Sequence, residues 1–338
     1  MRNILVTGGA GFIGANFVRH ILASDANKLL LVNLDLLTYA GSLDNLQDVS
    51  DPRHIFVRGD IKDTDLIMRL LQEYQIDTIV HFAAESHVDR SISAPHCFIE
   101  TNILGTFTLL QAARQYWLQQ KKWDEQHCRF HHISTDEVYG SLQLGEKAFD
   151  EKSRYAPNSP YSATKASSDH LVRAYYHTYQ LPMTMSHCSN NYGPYQHTEK
   201  LIPTIIRACM HNQAIPIYGD GSNIRDWLYV EDHCRGIVDI LQHGKVGETY
   251  NLGGHCEMSN LSLAKEICAL MDKYFPKKNL YQENIQFVQD RPGHDWRYAI
   301  DSHKIFQELH WRPLESFASG LEKTVRFYIG DIHNQDKL

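Results

Sequence analysis

Two carboxylates stand side by side in "HHISTDEVYG", where Asp136 and Glu137 follow an apolar run that reads as a buried strand. Adjacent acids repel, and in a closed site repulsion and desolvation push their pKa values apart. One ionised and one protonated carboxyl can divide an elimination between them. The base takes a C–H proton and the acid protonates a departing hydroxyl. That C–H becomes acidic when its neighbouring carbon is a ketone, so a transient oxidation would have to come first. "YSATK" offers the means: Tyr161 and Lys165 lie four apart, neighbours on one helical face. The lysine ammonium and a positive nicotinamide ring would pull the phenol below its ordinary value of about 10. Such a tyrosine can take a hydroxyl proton as hydride leaves the same carbon.

Each motif has a plainer alternative. Ser134 with Glu137 three residues later fits a capping box, although Gly140 soon breaks the pattern. The tyrosine–lysine spacing is weak by itself. A second match, Tyr274 to Lys278, contains Pro276 and reads as a helix end. The glycine turn decides between the two matches. "TGGAGFIG" sets Gly8, Gly11 and Gly14 three apart between a strand and a helix. Bare backbone can approach a pyrophosphate there, and the helix N-terminus attracts its charge. Asp35 ends the next strand, about 20 residues on, where it would bind ribose hydroxyls. A carboxylate there repels a 2′-phosphate, which favours NAD over NADP. Asp60, after the third strand, is a candidate for the adenine side, with a plain loop acid as the alternative.

Strand and helix patterns alternate through the first half, over 3–8, 12–24, 28–35, 54–60, 64–74, 77–84, 97–117 and 129–135. This order predicts an α/β fold: a Rossmann-type, doubly wound parallel sheet with ligands beyond the carboxyl ends of its strands. Helices are expected near 160–180, 199–211, 231–243, 260–274 and 315–329, with short strands in "IPIYG", "ETYNLGG" and "IQFVQD". We place a soft boundary near residue 190. Residues 1–190 form an NAD-binding domain and 191–338 a smaller, mixed α/β nucleotide-sugar-binding lobe, parts of which can return to the first.

The 338 residues carry a net charge of −7, which argues against nucleic acid. No apolar run suggests a membrane span and no signal peptide is visible. Seven scattered cysteines without a CxxC point to reduced thiols in a cytoplasmic protein. Twenty histidines lack metal-ligand spacing, so no metal is expected and most are read as surface or core residues.

With these residues assembled, the chain resembles the dTDP-glucose 4,6-dehydratases of the extended short-chain dehydrogenase/reductase superfamily. The likeness runs from "ILVTGGAGFIGANF" through "AAESHVDRSI", "STDEVYGS" and "YAPNSPYSATKA" to "SNNYGPYQHTEKLIP", "GDGSNIRDWLYVEDH", "YNLGGH" and "RPGHDWRYAID". It implies oxidation at carbon 4 of a nucleotide-bound glucose, loss of water across carbons 5 and 6, and hydride return to carbon 6. This would be a step of deoxysugar (rhamnose-type) biosynthesis, with NAD tightly bound and regenerated each cycle. Carried over by motif, Tyr161 is the oxidation base, assisted by Lys165, and Thr135 hydrogen-bonds the carbon 4 oxygen. Asp136 is the acid and Glu137 takes the carbon 5 proton. Phe12, Ile13, Ile61 and Ala83 join the cofactor site. Asn190, Arg225 and Arg291 would hold the diphosphate. Ser86, His87, Lys200, Leu201, Pro216, Tyr218, Asn260 and His294 would line the rest of the substrate pocket. For Arg225 the alternative is an ion pair with Asp226. Leu36 stands where the family often has lysine, which argues against a cationic cofactor contact there. The resemblance also implies a homodimer with a four-helix interface, from the helices containing Asn102–Ala113 and Ala166–Tyr176. A UDP-glucose 4,6-dehydratase, a nucleotide-sugar 4-epimerase and a non-catalytic NAD-binding scaffold are the rival readings.

Overall fold

The computed structural model describes residues 2–23 and 29–335, with side chains through residue 330. Residues 24 and 28, the edges of a predicted helix and strand, lie outside the described residues, as do the last three positions of the predicted second lobe. The chain opens with β1 (Asn3–Thr7), α1 (Phe12–Leu22), β2 (Leu30–Asp35), β3 (His54–Arg58), α2 (Thr64–Glu73) and β4 (Thr78–His81). A short α3 (Val88–Ser93) precedes α4 (Pro95–Phe98), which widens through a π-helical stretch, Ile99–Gly105, into α5 (Thr106–Ala113). β5 (Arg129–Thr135), α6 (Pro160–Tyr179) and β6 (Met183–Cys188) follow. Then come β7 (Asn190–Tyr192), α7 (Leu201–Met210), β8 (Ile215–Tyr218), β9 (Ile224–Tyr229), α8 (Val230–His243), β10 (Thr249–Leu252) and β11 (Glu257–Ser259). α9 (Asn260–Tyr274), β12 (Ile285–Val288), α10 (His303–Leu309) and α11 (Phe317–Gln335) complete the order.

Seven of these strands form one parallel sheet in the order β10-β6-β5-β4-β1-β2-β3. This is the predicted Rossmann-type architecture. Successive β1 side chains serve opposite layers, as the two-residue strand period requires. Leu5 packs with α2, α5 and α6 through Leu70, Leu109 and Val172. Ile4 and Val6 pack with α1 and α8 through Phe17 and Ile237. β10 adds an edge strand from the later half of the chain, beside β6. The remaining strands make a three-stranded sheet, β11-β9-β7, and a parallel pair, β12-β8. α7, α9 and α11 close a separate apolar core over them, with Ile205, Ile267 and Val325 inside.

Local chemistry sets α6, which carries Tyr161 and Lys165. Ser159 and Ser162 form a reciprocal capping box, Pro160 occupies the first turn, and Gln180 ends the helix in the left-handed conformation. Tyr274, the first residue of the second tyrosine–lysine match, is the last residue of α9.

Candidate active site

A cleft opens at the carboxyl ends of β1, β2, β4, β5 and β6. Sixteen of the expected site residues line it: Gly8, Gly11, Phe12, Ile13, Gly14, Asp35, Asp60, Ile61, Ala83, Ser86, Thr135, Glu137, Tyr161, Lys165, Asn190 and Lys200. Its glycine end is built by close backbone approach. Gly8 has φ +74°, and a Cβ there would lie 2.6 Å from the Ala83 nitrogen. A Cβ on Gly14 would sit 2.2 Å from the Gly8 carbonyl, so α1 can pack this close to the turn only with glycine. Asp35 accepts from the backbone N–H groups of Ala10 (2.9 Å) and Leu37 (2.8 Å), which aims its carboxylate along the turn. Each oxygen keeps a lone pair for a ribose hydroxyl. Burial pushes its pKa up, and those two donors oppose the shift. The residues present fit a dinucleotide with free ribose hydroxyls. Leu36 lines the same wall and is exposed.

At the other end, Thr135 closes β5 and begins a single 3₁₀ turn, Asp136–Tyr139. The capping-box alternative is not what forms. Thr135 accepts the Glu137 N–H at 3.3 Å, whereas Ser134 Oγ donates to Asp169 Oδ2 at 2.8 Å. Glu137 is thus released into the cleft. Asp136 is not on the cleft wall; it is buried just behind, with Oδ1 accepting from Thr135 Oγ1 at 3.3 Å and Oδ2 unpartnered.

Burial raises both acids, and their charged neighbours differ in balance. Burial pushes the Asp136 carboxyl well up, and the charges of Glu137 and Asp226 push it further. Burial also raises Glu137, but Arg291, Arg225 and Lys200 all pull it back down. Three cations oppose burial at Glu137 and only one, Arg225, at Asp136, so Asp136 is the more strongly raised of the two.

The side chains around Tyr161 do not by themselves supply the expected lowering. Burial raises the phenol well above its ordinary range and Glu137 adds to this, while a hydrogen bond with Thr135 opposes it. Lys165 donates to the Ile133 carbonyl at 2.7 Å and is itself pushed down by burial, with Asp169 one turn later opposing. A phenolate here needs positive charge beyond what the side chains supply.

The remaining substrate candidates divide. Lys200 donates to the Ser86 carbonyl at 2.9 Å. Arg225 makes no ion pair with Asp226; it donates to the carbonyls of Ile224, Trp296 and Asp295 and lies 4.3 Å over the Tyr298 ring. Asp226 instead accepts from Gly254 and Cys256 backbone N–H groups. Arg291 pairs with Asp89 at 3.6 Å, and its Nε is buried without a hydrogen-bond partner. His294 stands edge-on to Tyr218 beside Arg291, and its Nδ1 is 2.6 Å from Asp290. Pro216 shares the exposed side of β8 with Tyr218. His87 caps α3 and lies 3.8 Å from Glu199, a cleft residue. Leu201 and Asn260 begin α7 and α9; Asn260 Oδ1 is buried and unpartnered. Pro216, Leu201, Asn260 and His87 do not line the cleft, nor do Arg225, Arg291, Tyr218 and His294.

The sequence reading missed Ser134, Cys188, Ser189 and Glu199 on the cleft wall. It also missed the buried Asp169, which accepts from Ser134 and meets His132 and His187 at 3.2 and 3.1 Å. The usable signal was the rule that ligands bind at strand ends, had β6 been recognised. Several histidines, among them His81, His131, His132, His187 and His233, are buried with hydrogen-bonding partners. Among the described residues no group of three or more His, Cys, Asp or Glu is arranged to hold a metal ion, and no helix is long and apolar enough to cross a membrane.

Comparison with known proteins agrees with this geometry. The family described as GDP-mannose 4,6 dehydratase matches residues 5–324. A dTDP-glucose 4,6-dehydratase of Shigella flexneri is 53% identical over 337 residues, covering 97% of this chain and 93% of the relative. The crystal structure of DesIV, a dTDP-glucose 4,6-dehydratase from Streptomyces venezuelae with NAD and TYD bound, superposes with a TM-score of 0.89 at 46% identity, covering 98% of both chains. A UDP-glucose 4-epimerase of Thermus thermophilus, complexed with NAD, reaches 0.84 at 27% identity, covering 97% of this chain and 99% of that one. The backbone is thus common to dehydratase and epimerase, and the sequence separates them. The chain belongs to the nucleotide-sugar 4,6-dehydratase family and, within it, to the dTDP-glucose 4,6-dehydratases.

Proposed function

We propose that the protein acts as an NAD-dependent hydro-lyase, converting dTDP-D-glucose to dTDP-4-keto-6-deoxy-D-glucose and water in deoxysugar biosynthesis. NAD, when bound, accepts a hydride from carbon 4 and returns it at carbon 6. Tyr161, beside Lys165, takes the carbon 4 hydroxyl proton while Thr135 holds that oxygen. Glu137 removes the carbon 5 proton and, after exchange with solvent, returns one to the same carbon. Asp136 protonates the carbon 6 hydroxyl, which leaves as water. The observation that carries this reading is the unequal charge balance of the acid pair: burial raises both, three cations oppose it at Glu137 against one, Arg225, at Asp136, where Glu137 and Asp226 add to it. A base must be ionised and an acid protonated at the same pH, and these surroundings favour that division.

Arg291, with Arg225 and Asn190, would hold the diphosphate; Arg291 Nε is a buried donor without a partner, which supports the assignment. Ser86, His87, Lys200, Leu201, Pro216, Tyr218, Asn260 and His294 would complete the pocket. Residues 1–190 would carry NAD and 191–338 the nucleotide sugar. A homodimer through the helices containing Asn102–Ala113 and Ala166–Tyr176 is supported by exposed Ile99, Leu104 and Phe107 along one helical run. The seven free thiols support a reducing, cytoplasmic setting.

A panel of dTDP-, UDP- and GDP-hexoses in deuterated water tests the reaction. Loss of a water mass with deuterium at carbon 5 is expected, most efficiently with dTDP-glucose. Epimerisation without either signature, or binding without any 4-keto product, would refute it. Thymine and uracil differ by one methyl, so selectivity between them is expected to be modest, about 1–3 kcal/mol.

A further inference from the structure

The proposed cycle takes a hydride at one carbon and returns it at another, so the cofactor must stay in its cleft between the two steps. Loss of the reduced form in mid-cycle would strand an oxidised sugar. The glycine turn and Asp35 form one side of the cleft. The connection between β7 and α7 forms the other, with Gln196, His197, Glu199 and Lys200 on the wall. This connection is tied down at both ends. At its start the Pro194 carbonyl accepts from Asn16 Nδ2 of α1 at 3.0 Å. At its end Lys200 Nζ donates to the Ser86 carbonyl, just before α3, at 2.9 Å.

Beside Lys200, three basic side chains gather on Glu199. His87 Nε2 and Arg90 Nε lie 3.8 and 3.6 Å from its Oε2, and His197 Nδ1 lies 3.6 Å from its Oε1. Burial pushes both histidines down, so Arg90 is the member with a fixed positive charge. Its guanidinium carbon also sits 3.7 Å from the centre of the Tyr39 ring, within cation–π range. Tyr39 belongs to the loop after β2, whose Leu36, Thr38, Ala40 and Gly41 line the cleft beyond Asp35. One α3 side chain therefore joins two cleft-lining segments that come from distant parts of the chain. Neither Arg90 nor Tyr39 is on the cleft wall.

We propose that Arg90 is a positioning residue for the cofactor: through Tyr39 on one side and Glu199 on the other, it latches these two segments together and slows the escape of NAD. It touches no reacting atom. A guanidinium suits both contacts, with a planar face for the ring and N–H groups at its edge for the carboxylate. Lysine would keep the charge without the plane, and methionine only the apolar stem. The inference depends on the NAD site alone, whichever reaction follows there.

The test follows NAD release from the full-length protein, loaded with NAD, freed of excess nucleotide by rapid gel filtration and mixed with isotope-labelled NAD. Release is read as label exchange without substrate, in wild type, Arg90→Met and Arg90→Lys. The Arg90 side chain is about half exposed. An ion pair and a cation–π contact in that setting are each worth a factor of about 2–5, so Arg90→Met should release NAD about 5–25-fold faster. Arg90→Lys should fall between the two. Added salt should speed release more in wild type than in Arg90→Met, which has no ion pair to screen. The first turnover of freshly loaded Arg90→Met, followed by rapid quench with dTDP-glucose, should keep its wild-type rate. Equal release from wild type and Arg90→Met refutes the latch. So does a slowed first turnover with unchanged release, which would place Arg90 in the chemistry instead. Failure of the dehydration reading is a separate outcome: wild type would then give no 4-keto product, while label exchange would still report on Arg90.

Discussion

The two ends of the cleft are built on different principles. At the glycine end, recognition comes from backbone groups and from residues of the first four strands and their connections. Gly8, Gly14 and Asp35 do their work through contacts with Ala83, Ala10 and Leu37, all within the first 83 residues. At the acid end, Asp136 and Glu137 are neighbours in sequence and differ only because distant segments treat them differently. Lys200, Arg225 and Arg291 oppose burial at Glu137, whereas at Asp136 only Arg225 does and Asp226 adds to it. A cofactor site can therefore be shared among many relatives, including an epimerase with 27% identity. The chemistry at the other end depends on which long-range charges converge.

The sharpest way to break this contrast is to disable the acid end alone. Tyr161→Phe should abolish formation of bound NADH on adding substrate, followed by absorbance of the reduced nicotinamide. Glu137→Gln should retain NAD yet lower dehydration by about 10²–10⁴-fold, the usual worth of a positioned acid or base. At the glycine end, Asp35→Ala removes a charged acceptor from two backbone donors and from the ribose. NAD affinity should fall by about 10–100-fold, following roughly 1.5–3 kcal/mol for hydrogen bonds to a charged group. Titration calorimetry checks it, and carbon 5 exchange by the loaded protein should persist.

Arg291→Leu tests whether distant charge tunes the base. Glu137 must be ionised to act, so activity falls as pH drops through its pKa. Arg291 holds that pKa down against burial. Removing it should move the acidic limb of the kcat profile to higher pH, with about tenfold less activity below it; an unmoved limb would break the comparison. The smallest effect belongs to Leu36→Lys. An exposed cation on the cofactor wall is worth about 0–1 kcal/mol, so NAD should bind no more than several-fold tighter, and less so at high salt.

Much of the frame was legible because its signals are local. Alternating apolar runs gave the alternation of strands and helices in the first half and their parallel pairing, and the helix expected near 160–180 is α6. β6 escaped because "MTMSHC" is not an apolar run. Its Thr184 and Ser186 face the two ring nitrogens of His131 on β5, at 2.9 and 3.2 Å, so polar residues are satisfied inside the sheet. For Arg225 it is the alternative reading that fails: adjacency to Asp226 suggested an ion pair, but successive residues of β9 point to opposite faces and find different partners.

The sequence by itself determined the parallel sheet, the dinucleotide turn and the presence of a tyrosine, a lysine and two acids at strand and helix ends. Those follow from periodicity, chirality and the demands of a tight turn, which act over a few residues. Which acid is raised further, and that Tyr161 is raised rather than lowered by its own neighbours, were decided only by the tertiary structure. Desolvation and Coulomb forces depend on what is close in space, and for the acid pair that is a set of residues far along the chain, from Lys200 to Arg291.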